Sequence, residues 1–202
     1  MNAPDPFLIL ASASATRRTI LTQAEIPHVC EPSGVDEETL KEQGQSAGRP
    51  VEDVALDIAR AKAAAVSARN PRAYVLGADQ MMECGGRWLD KPANLDAARH
   101  NLRFLRGRTH RLISAATVWR DGEERWTDNA EAHLGLRAFS DAFLDDYLRA
   151  GGDEILASVG AYRLEGLGVQ LFDRIDGDYF TILGLPLLPL MAFLRREGML
   201  AT

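Results

Sequence analysis

Cysteine and histidine are scarce in this chain. Two cysteines, Cys30 and Cys84, and four histidines among 202 residues exclude a disulfide scaffold, and no spacing reads as a structural zinc site. Positive charge is also short: 23 lysines and arginines face 29 aspartates and glutamates, a formal charge of -6. The surface as a whole therefore offers no positive field to a long polyanion such as duplex DNA, although local anion sites are not excluded. No apolar run is long enough to span a bilayer, and the N-terminus lacks the basic region and apolar segment of a signal peptide. A cytoplasmic protein with neither nucleic-acid polymer nor membrane as partner is expected. Two common nucleotide motifs are missing as well, G-x-x-x-x-G-K-[ST] and a G-x-G-x-x-G that follows a strand. His28, His100, His110 and His133 show no i, i+4 pairing, and neither G-x-S-x-G nor a catalytic-cysteine signature occurs. Any nucleotide chemistry must use other residues.

What is present suits a folded domain: 46% apolar and 26% charged residues with a mean hydropathy of -0.17. The length fits one domain over residues 1–202, or two lobes sharing a cleft. Phe7 to Ala11 reads as a buried strand, followed by a hydroxyl-rich turn in which Ser14 or Thr16 can cap a helix. Pro32 to Gly48 is polar and acidic and reads as a loop, and Val51 to Ala68 as an alanine-rich helix. Ala73 to Gly77 is a second buried strand that places Asp79 at its end. A hairpin turn is expected at Cys84 to Arg87, a helix over Asn94 to Leu105, and two strands from Thr109 to Arg120 and from Trp126 to Phe139, joined at Asp121-Gly122. Ser140 to Ala150 reads as a capped helix, Val159 to Gly168 as a glycine-broken segment, Val169 to Ile175 as a strand, and Leu187 to Arg196 as an apolar closing helix. The mixture predicts an α/β (mixed α+β) architecture with a mixed sheet.

The charged residues fall into a pattern. Arg17 and Arg18 are expected in the first turn of a helix, either as two solvated arginines or as an anion site, since the dipole repels them unless an anion lies between and guanidinium forks match phosphate oxygens. Asp79, expected beyond a strand's carboxyl end, is either a turn residue bonded to its own backbone or an acid that can activate water or hold a metal. Lys62 and Lys91 alone would be surface lysines. Together, two arginines, two lysines and the carboxylates Asp36, Glu37 and Asp79 are the parts needed to hold a triphosphate and a divalent cation while water attacks phosphorus.

The string LILASASATRRTIL, VDEE, ARAKA, VLGADQ, DKP, LRGRTHRLIS, GAYRLEGLGVQLFDRIDGDY and LGLPL, in that order, resembles the Maf family of nucleoside triphosphate pyrophosphatases. The resemblance implies an inosine-triphosphatase-like fold, an elongated mixed sheet flanked by helices with two lobes around a nucleotide cleft. It also implies hydrolysis between the α and β phosphates to a monophosphate and pyrophosphate, assisted by Mg2+ or Mn2+. Position by position, Ser12, Ser14, Arg17 and Arg18 match the family's phosphate-binding turn. Asp79 matches its proposed proton acceptor, Glu37 an acidic position near the metal that Asp79 would share, and Lys62 and Lys91 the lysines that approach the phosphates. Ala15 replaces the usual proline, Thr16 stands at a position bearing on substrate choice, and Ser114 replaces a threonine.

The family resembles two branches, one selecting dTTP and UTP and one selecting 7-methyl-GTP. Gln80 and Glu165 match the second and Thr16 matches neither. A glutamate can accept from guanine N1-H and the exocyclic amine together. A guanine-type or broad substrate is expected, with a dTTP/UTP-type enzyme, or a nucleotide-binding regulator of septum formation without turnover, as alternatives. Oligomeric state, a homodimer included, is left open.

Overall fold

The structure, a computed structural model, describes residues 7–201. Its strands are β1 (Leu8–Leu10), β2 (His28–Cys30), β3 (Tyr74–Cys84), β4 (Arg87–Leu89), β5 (Thr109–Arg120), β6 (Glu123–Leu136) and β7 (Phe172–Asp176). Hydrogen-bonded neighbours run in the order β2-β1-β3-β5-β6-β7, with β4 beside β3. β1 is parallel to β2 and β3, whereas β3 with β4 and β6 with β7 are antiparallel. The mixed sheet expected from the sequence is present. Among the described residues no helix is long and apolar enough to cross a membrane.

The chain divides into two compact units. The first takes the chain up to Gln80, Ile113–Ala130, and Tyr179 onward. Its helices are α1 (Ala15–Gln23), α2 (Glu37–Ser46), α3 (Val51–Ser67), α6 (Tyr179–Ile182) and α7 (Leu187–Arg196). β1 is buried along its whole length, as a strand flanked by two parallel neighbours must be. In β3 the side chains alternate. Val75 packs with Ala63 and Val66 of α3, whereas Tyr74, Leu76 and Ala78 join Leu185, Leu187 and Phe193 in a separate core. Gly77 shares the α3 face, and a Cβ there would lie 2.1 Å from the Ala59 carbonyl oxygen. The missing side chain lets α3 close on β3, two residues before Asp79.

The second unit takes Met81–Leu112 and Glu131–Asp178. It holds α4 (Leu95–Leu105), α5 (Asp141–Gly151), and 3-10 turns at Gly152–Ala157 and Leu167–Leu171. An aromatic core lies here: Tyr162 meets Phe172 edge to face at 4.8 Å, with His110 beside both.

Four local expectations change. The acidic stretch from Pro32 to Gly48 contains α2, started by the Asp36 side chain, which accepts the Thr39 N-H at 3.1 Å. β3 runs on to Cys84, so Asp79 lies within the strand and not at its end. β2 was not foreseen, and β7 begins at Phe172 after a 3-10 turn, not at Val169. At Asp121 and Gly122 the φ values of 55° and 76° suit the tight two-residue turn expected between β5 and β6.

Candidate active site

The turn after β1 is fixed by its own hydroxyls. Ala11 N-H bonds the Leu76 carbonyl at 2.8 Å, holding the end of β1 against β3. Ser12 is buried, and its Oγ accepts from Ser14 N-H at 3.1 Å and from an Arg17 terminal nitrogen at a long 3.4 Å. Ser14, not Thr16, caps α1, accepting the Arg17 N-H at 3.3 Å. Such a cap contributes ~1 kcal/mol.

The two arginines separate. Arg18 and Thr16 are exposed, whereas Arg17 is 8% exposed and its Nε donates to the Gly184 carbonyl at 2.8 Å. Among the described residues no carboxylate pairs directly with Arg17. Burial pushes its guanidinium below the ordinary arginine range, while the nearby charges of Asp79 and Glu37 act in the opposite direction. A buried cation held by neutral oxygens is poised for an anion.

Across from it lie the acids. Lys62 and Asp79 are each 4% exposed. Lys62 Nζ is 2.8 Å from Asp79 Oδ1, 2.9 Å from Glu37 Oε1 and 3.5 Å from the Ala78 carbonyl. The lysine therefore bridges two carboxylates, where the resemblance implied an approach to phosphate. Glu37 opens α2 and is half-buried, so its position depends on the Asp36 cap beside it. Asp79 Oδ2 is buried and, among the described residues, has no hydrogen-bond partner, an arrangement that costs free energy unless a ligand completes it.

Gln80 follows Asp79 on the opposite face of β3. Its Nε2 lies 3.1 Å from Ser114 Oγ, 3.1 Å from the Thr181 carbonyl and 3.0 Å from the Ile182 carbonyl. Ser114 Oγ donates to the same Thr181 carbonyl at 2.7 Å. The sequence singled out Gln80 for base selection but gave no sign of this junction with α6.

Lys91 and Glu165 belong to the second unit. Lys91 is exposed just after β4. Glu165 is exposed, and its Oε1 accepts from Arg163 Nε at 3.2 Å. The segment before it is braced: Ala161 has a φ of 54°, Tyr147 Oη donates to its carbonyl at 2.9 Å, and Tyr162 Oη lies 2.6 Å from His110 Nε2. Burial lowers the His110 pKa to about 4.

The cluster of Ser12, Arg17, Lys62, Asp79 and Glu37 can bind an anion and accept a proton beside it. No group of three or more histidine, cysteine, aspartate or glutamate side chains among the described residues is placed to hold a metal alone. Mg2+ commonly takes one or two carboxylates and completes its shell with waters and substrate phosphates. Asp79, with its unpartnered Oδ2, and Glu37 fit that donor set.

Comparison with known proteins follows the same lines. The sequence profile of a family described as "Maf-like protein" matches residues 7–197. A nucleoside triphosphate pyrophosphatase of Rhodospirillum rubrum is 46% identical over 99% of this chain and 99% of its own length. One from Paramagnetospirillum magneticum is 50% identical over 94% of this chain and 98% of its own. A 7-methyl-GTP pyrophosphatase of Mesorhizobium japonicum is 47% identical, covering 95% of this chain and 96% of its own length.

Proposed function

This chain belongs to the Maf-like family, and we propose that it is a nucleoside triphosphate pyrophosphatase that cleaves the α-β anhydride of a guanine-type or broader range of substrates. The observation that carries the reading is one juxtaposition. Arg17 is a buried guanidinium with no directly paired carboxylate, and it feels the charge of Asp79, whose Oδ2 lacks a partner. A binding module needs the first of these groups, whereas a hydrolase needs both.

Phosphate oxygens are engaged by Arg17, which is already oriented by Gly184 and Ser12 and loses little freedom on binding. The N-terminus of α1 adds its dipole to the same anion. Asp79 takes a proton at Oδ2 from the attacking water, while Lys62 holds Oδ1 and so fixes the carboxylate plane. The water oxygen forms a new bond to phosphorus and the bridging P-O bond breaks, leaving nucleoside monophosphate and pyrophosphate. Asp79 and Glu37 would hold a Mg2+ or Mn2+ ion, which supplies charge neutralisation at the phosphates. Glu165 and Lys91 are assigned to base and phosphate from the resemblance alone.

The test is a panel of GTP, 7-methyl-GTP, UTP, dTTP and ATP assayed for released pyrophosphate with Mg2+, with Mn2+ and with chelator. Release of pyrophosphate and monophosphate in equal amounts, abolished by Asp79→Asn, is the expected result. Binding of nucleotide without turnover under every metal condition would overturn it and leave a sensor.

A further inference from the structure

Glu165 is exposed, and its own contacts do little to hold it. Arg163 reaches Glu165 Oε1 at 3.2 Å and Glu154 Oε2 at 2.7 Å, but ion pairs open to water fix a side chain weakly. A carboxylate that discriminates between base edges has to be held within about 0.5 Å of its productive position. That precision has to come from the backbone beneath it.

The backbone here is a tight turn with a clamped start. Gly166 N-H bonds the Arg163 carbonyl at 3.2 Å, and Val169 N-H bonds that of Gly166 at 3.2 Å. A Cβ on Gly168 would lie 2.5 Å from the Arg163 carbonyl oxygen, so the bare glycine lets the chain fold back just after Glu165. Residues 163–168 therefore form one piece, and Tyr162 leads into it. The Tyr162 ring is buried edge to face on Phe172; a Cβ on Gly160 would lie 2.1 Å from its Cε1. Ala161 has a φ of 54°, a conformation that costs a residue with a side chain free energy. It is kept there by two bonds, Tyr147 Oη to its carbonyl at 2.9 Å and its own N-H to the Ser158 carbonyl at 3.1 Å.

Packing does not explain the polar end of this clamp. Tyr162 Oη lies 2.6 Å from His110 Nε2 on β5, and both residues are almost wholly buried. His110 Nδ1 is buried too and, among the described residues, has no hydrogen-bond partner. Apolar side chains would fill the same space without leaving a polar atom unpaired. What the pair adds is direction: a hydrogen bond sets how the Tyr162 ring is turned, and so where the next residues begin.

We propose that His110, acting through the Tyr162 hydroxyl, is a positioning residue for Glu165: the buried pair anchors to β5 the turn that carries the base-reading carboxylate. That Glu165 reads the base rests on the proposed function.

The experiment starts from Tyr162→Phe, which removes one oxygen and keeps the ring. Values of kcat/KM for GTP and UTP are measured in this variant, in Glu165→Gln and in the double variant, with the inhibition constant of inorganic tripolyphosphate as a control that has no base. The GTP-to-UTP ratio should fall roughly 5-fold, the size of one net hydrogen bond, with tripolyphosphate inhibition unchanged. In the Glu165→Gln background the same substitution should leave the ratio where it was, because both act through one carboxylate. His110→Phe should match Tyr162→Phe, and His110→Gln, whose amide still offers the hydroxyl a partner, should restore most of the ratio; these two serve if Tyr162→Phe does not fold. A lower thermal midpoint with the ratio intact would make the pair structural only and overturn the proposal. So would an equal fall for GTP, UTP and tripolyphosphate, or a full effect of Tyr162→Phe without Glu165. If Glu165→Gln alone left the ratio unchanged, the assignment of Glu165 to the base would fall and take the proposal with it, whereas a silent Tyr162→Phe beside an effective Glu165→Gln would overturn the proposal alone. Were wild type to hydrolyse no triphosphate, the ratio of GTP and UTP affinities from calorimetry would decide in the same way.

Discussion

Lys62→Met removes an ammonium from between two carboxylates and leaves a side chain of similar length. At a solvent-exposed pair this would cost ~0–1 kcal/mol, and the Glu37 contact, half-open to water, belongs near that range. The Asp79 contact does not, because both partners are almost wholly buried. Asp79 Oδ2 already has no partner, so losing Lys62 strips the other oxygen and leaves a buried carboxylate with no bonded partner, compensated only by the charge of Arg17. Removing one partner of such a pair costs ~3–5 kcal/mol, a large part of the stability of an ordinary domain. Urea denaturation at neutral pH should therefore show Lys62→Met destabilised by about that amount, and pyrophosphate release should fall at least ~10²-fold as the carboxylate loses its orientation. Combining Lys62→Met with Asp79→Asn removes the unpaired charge. The double variant should regain most of the stability and none of the activity. Destabilisation of Lys62→Met by less than ~1 kcal/mol, or a double variant no more stable than the single one, would refute the view that Lys62 exists to hold Asp79.

Three further outcomes are expected. Arg17→Ala should lower kcat/KM by about 10²-fold, with kcat and KM both affected, and Arg17→Lys should restore little, since a lysine cannot both bond Gly184 and fork to phosphate; steady-state kinetics across substrate concentrations decides this. Glu165→Gln should cost ~1–3 kcal/mol in kcat/KM against guanine substrates and less against UTP or dTTP, while its thermal midpoint stays near wild type because the exposed Arg163 pair contributes little; an equal fall for all bases would place Glu165 in catalysis instead. Burial holds the His110 pKa at about 4 against an ordinary 6.5, so above 6.5 both folded and unfolded forms are neutral and nothing is lost. Below it the unfolded chain takes the proton first, and stability should fall by about 2 kcal/mol by pH 5 and about 3 kcal/mol below pH 4. His110→Gln measured over the same range by urea denaturation should lack that component.

The legible and illegible parts of this chain divide along physical lines. The turn from β1 into α1 could be read because apolar strand, hydroxyl cap and helix follow one another within a few residues, and every determinant is local. The sequence could not separate Arg17 from Arg18. Adjacent helix positions differ by about 100° around the axis, and which one turns inward depends on Gly184, 167 residues away. α2 escaped notice because Glu37 to Ser46 carries only one large aliphatic residue, Leu40, and shows no apolar stripe. The Asp36 cap with Thr39 three residues on was the available signal. It also explains why Glu37 stands where Lys62 can reach it. The position of Asp79 within β3, and not at its end, follows from continuation through Gln80 to Cys84, a polar-apolar mixture that periodicity alone does not mark as strand. Lys62 was recognisable as a candidate only in company. Its burial follows from Gly77, whose bare backbone admits α3 to the sheet.

The charge arithmetic of the cluster bears on why a protein of net charge -6 should bind a polyanion at all. Net charge governs encounter and solubility; binding depends on the groups within a few ångströms. Here Arg17 and Lys62 are offset by Asp79 and Glu37, so the four together are formally neutral. Lys62 is already bonded to both acids. Of these four, Arg17 alone is not ion-paired within the cluster, so a triphosphate bound as proposed would bring several negative charges to one buried guanidinium and two carboxylates that repel it. Arg18, exposed on the next helical position, adds a screened contribution. A divalent cation held by Asp79 and Glu37, as proposed, would bring this formally neutral cluster to +2 toward the substrate and convert the acids from repelling groups into ligands. On the proposed function, the same carboxylates that disfavour a bare polyanion would favour a metal-bound one.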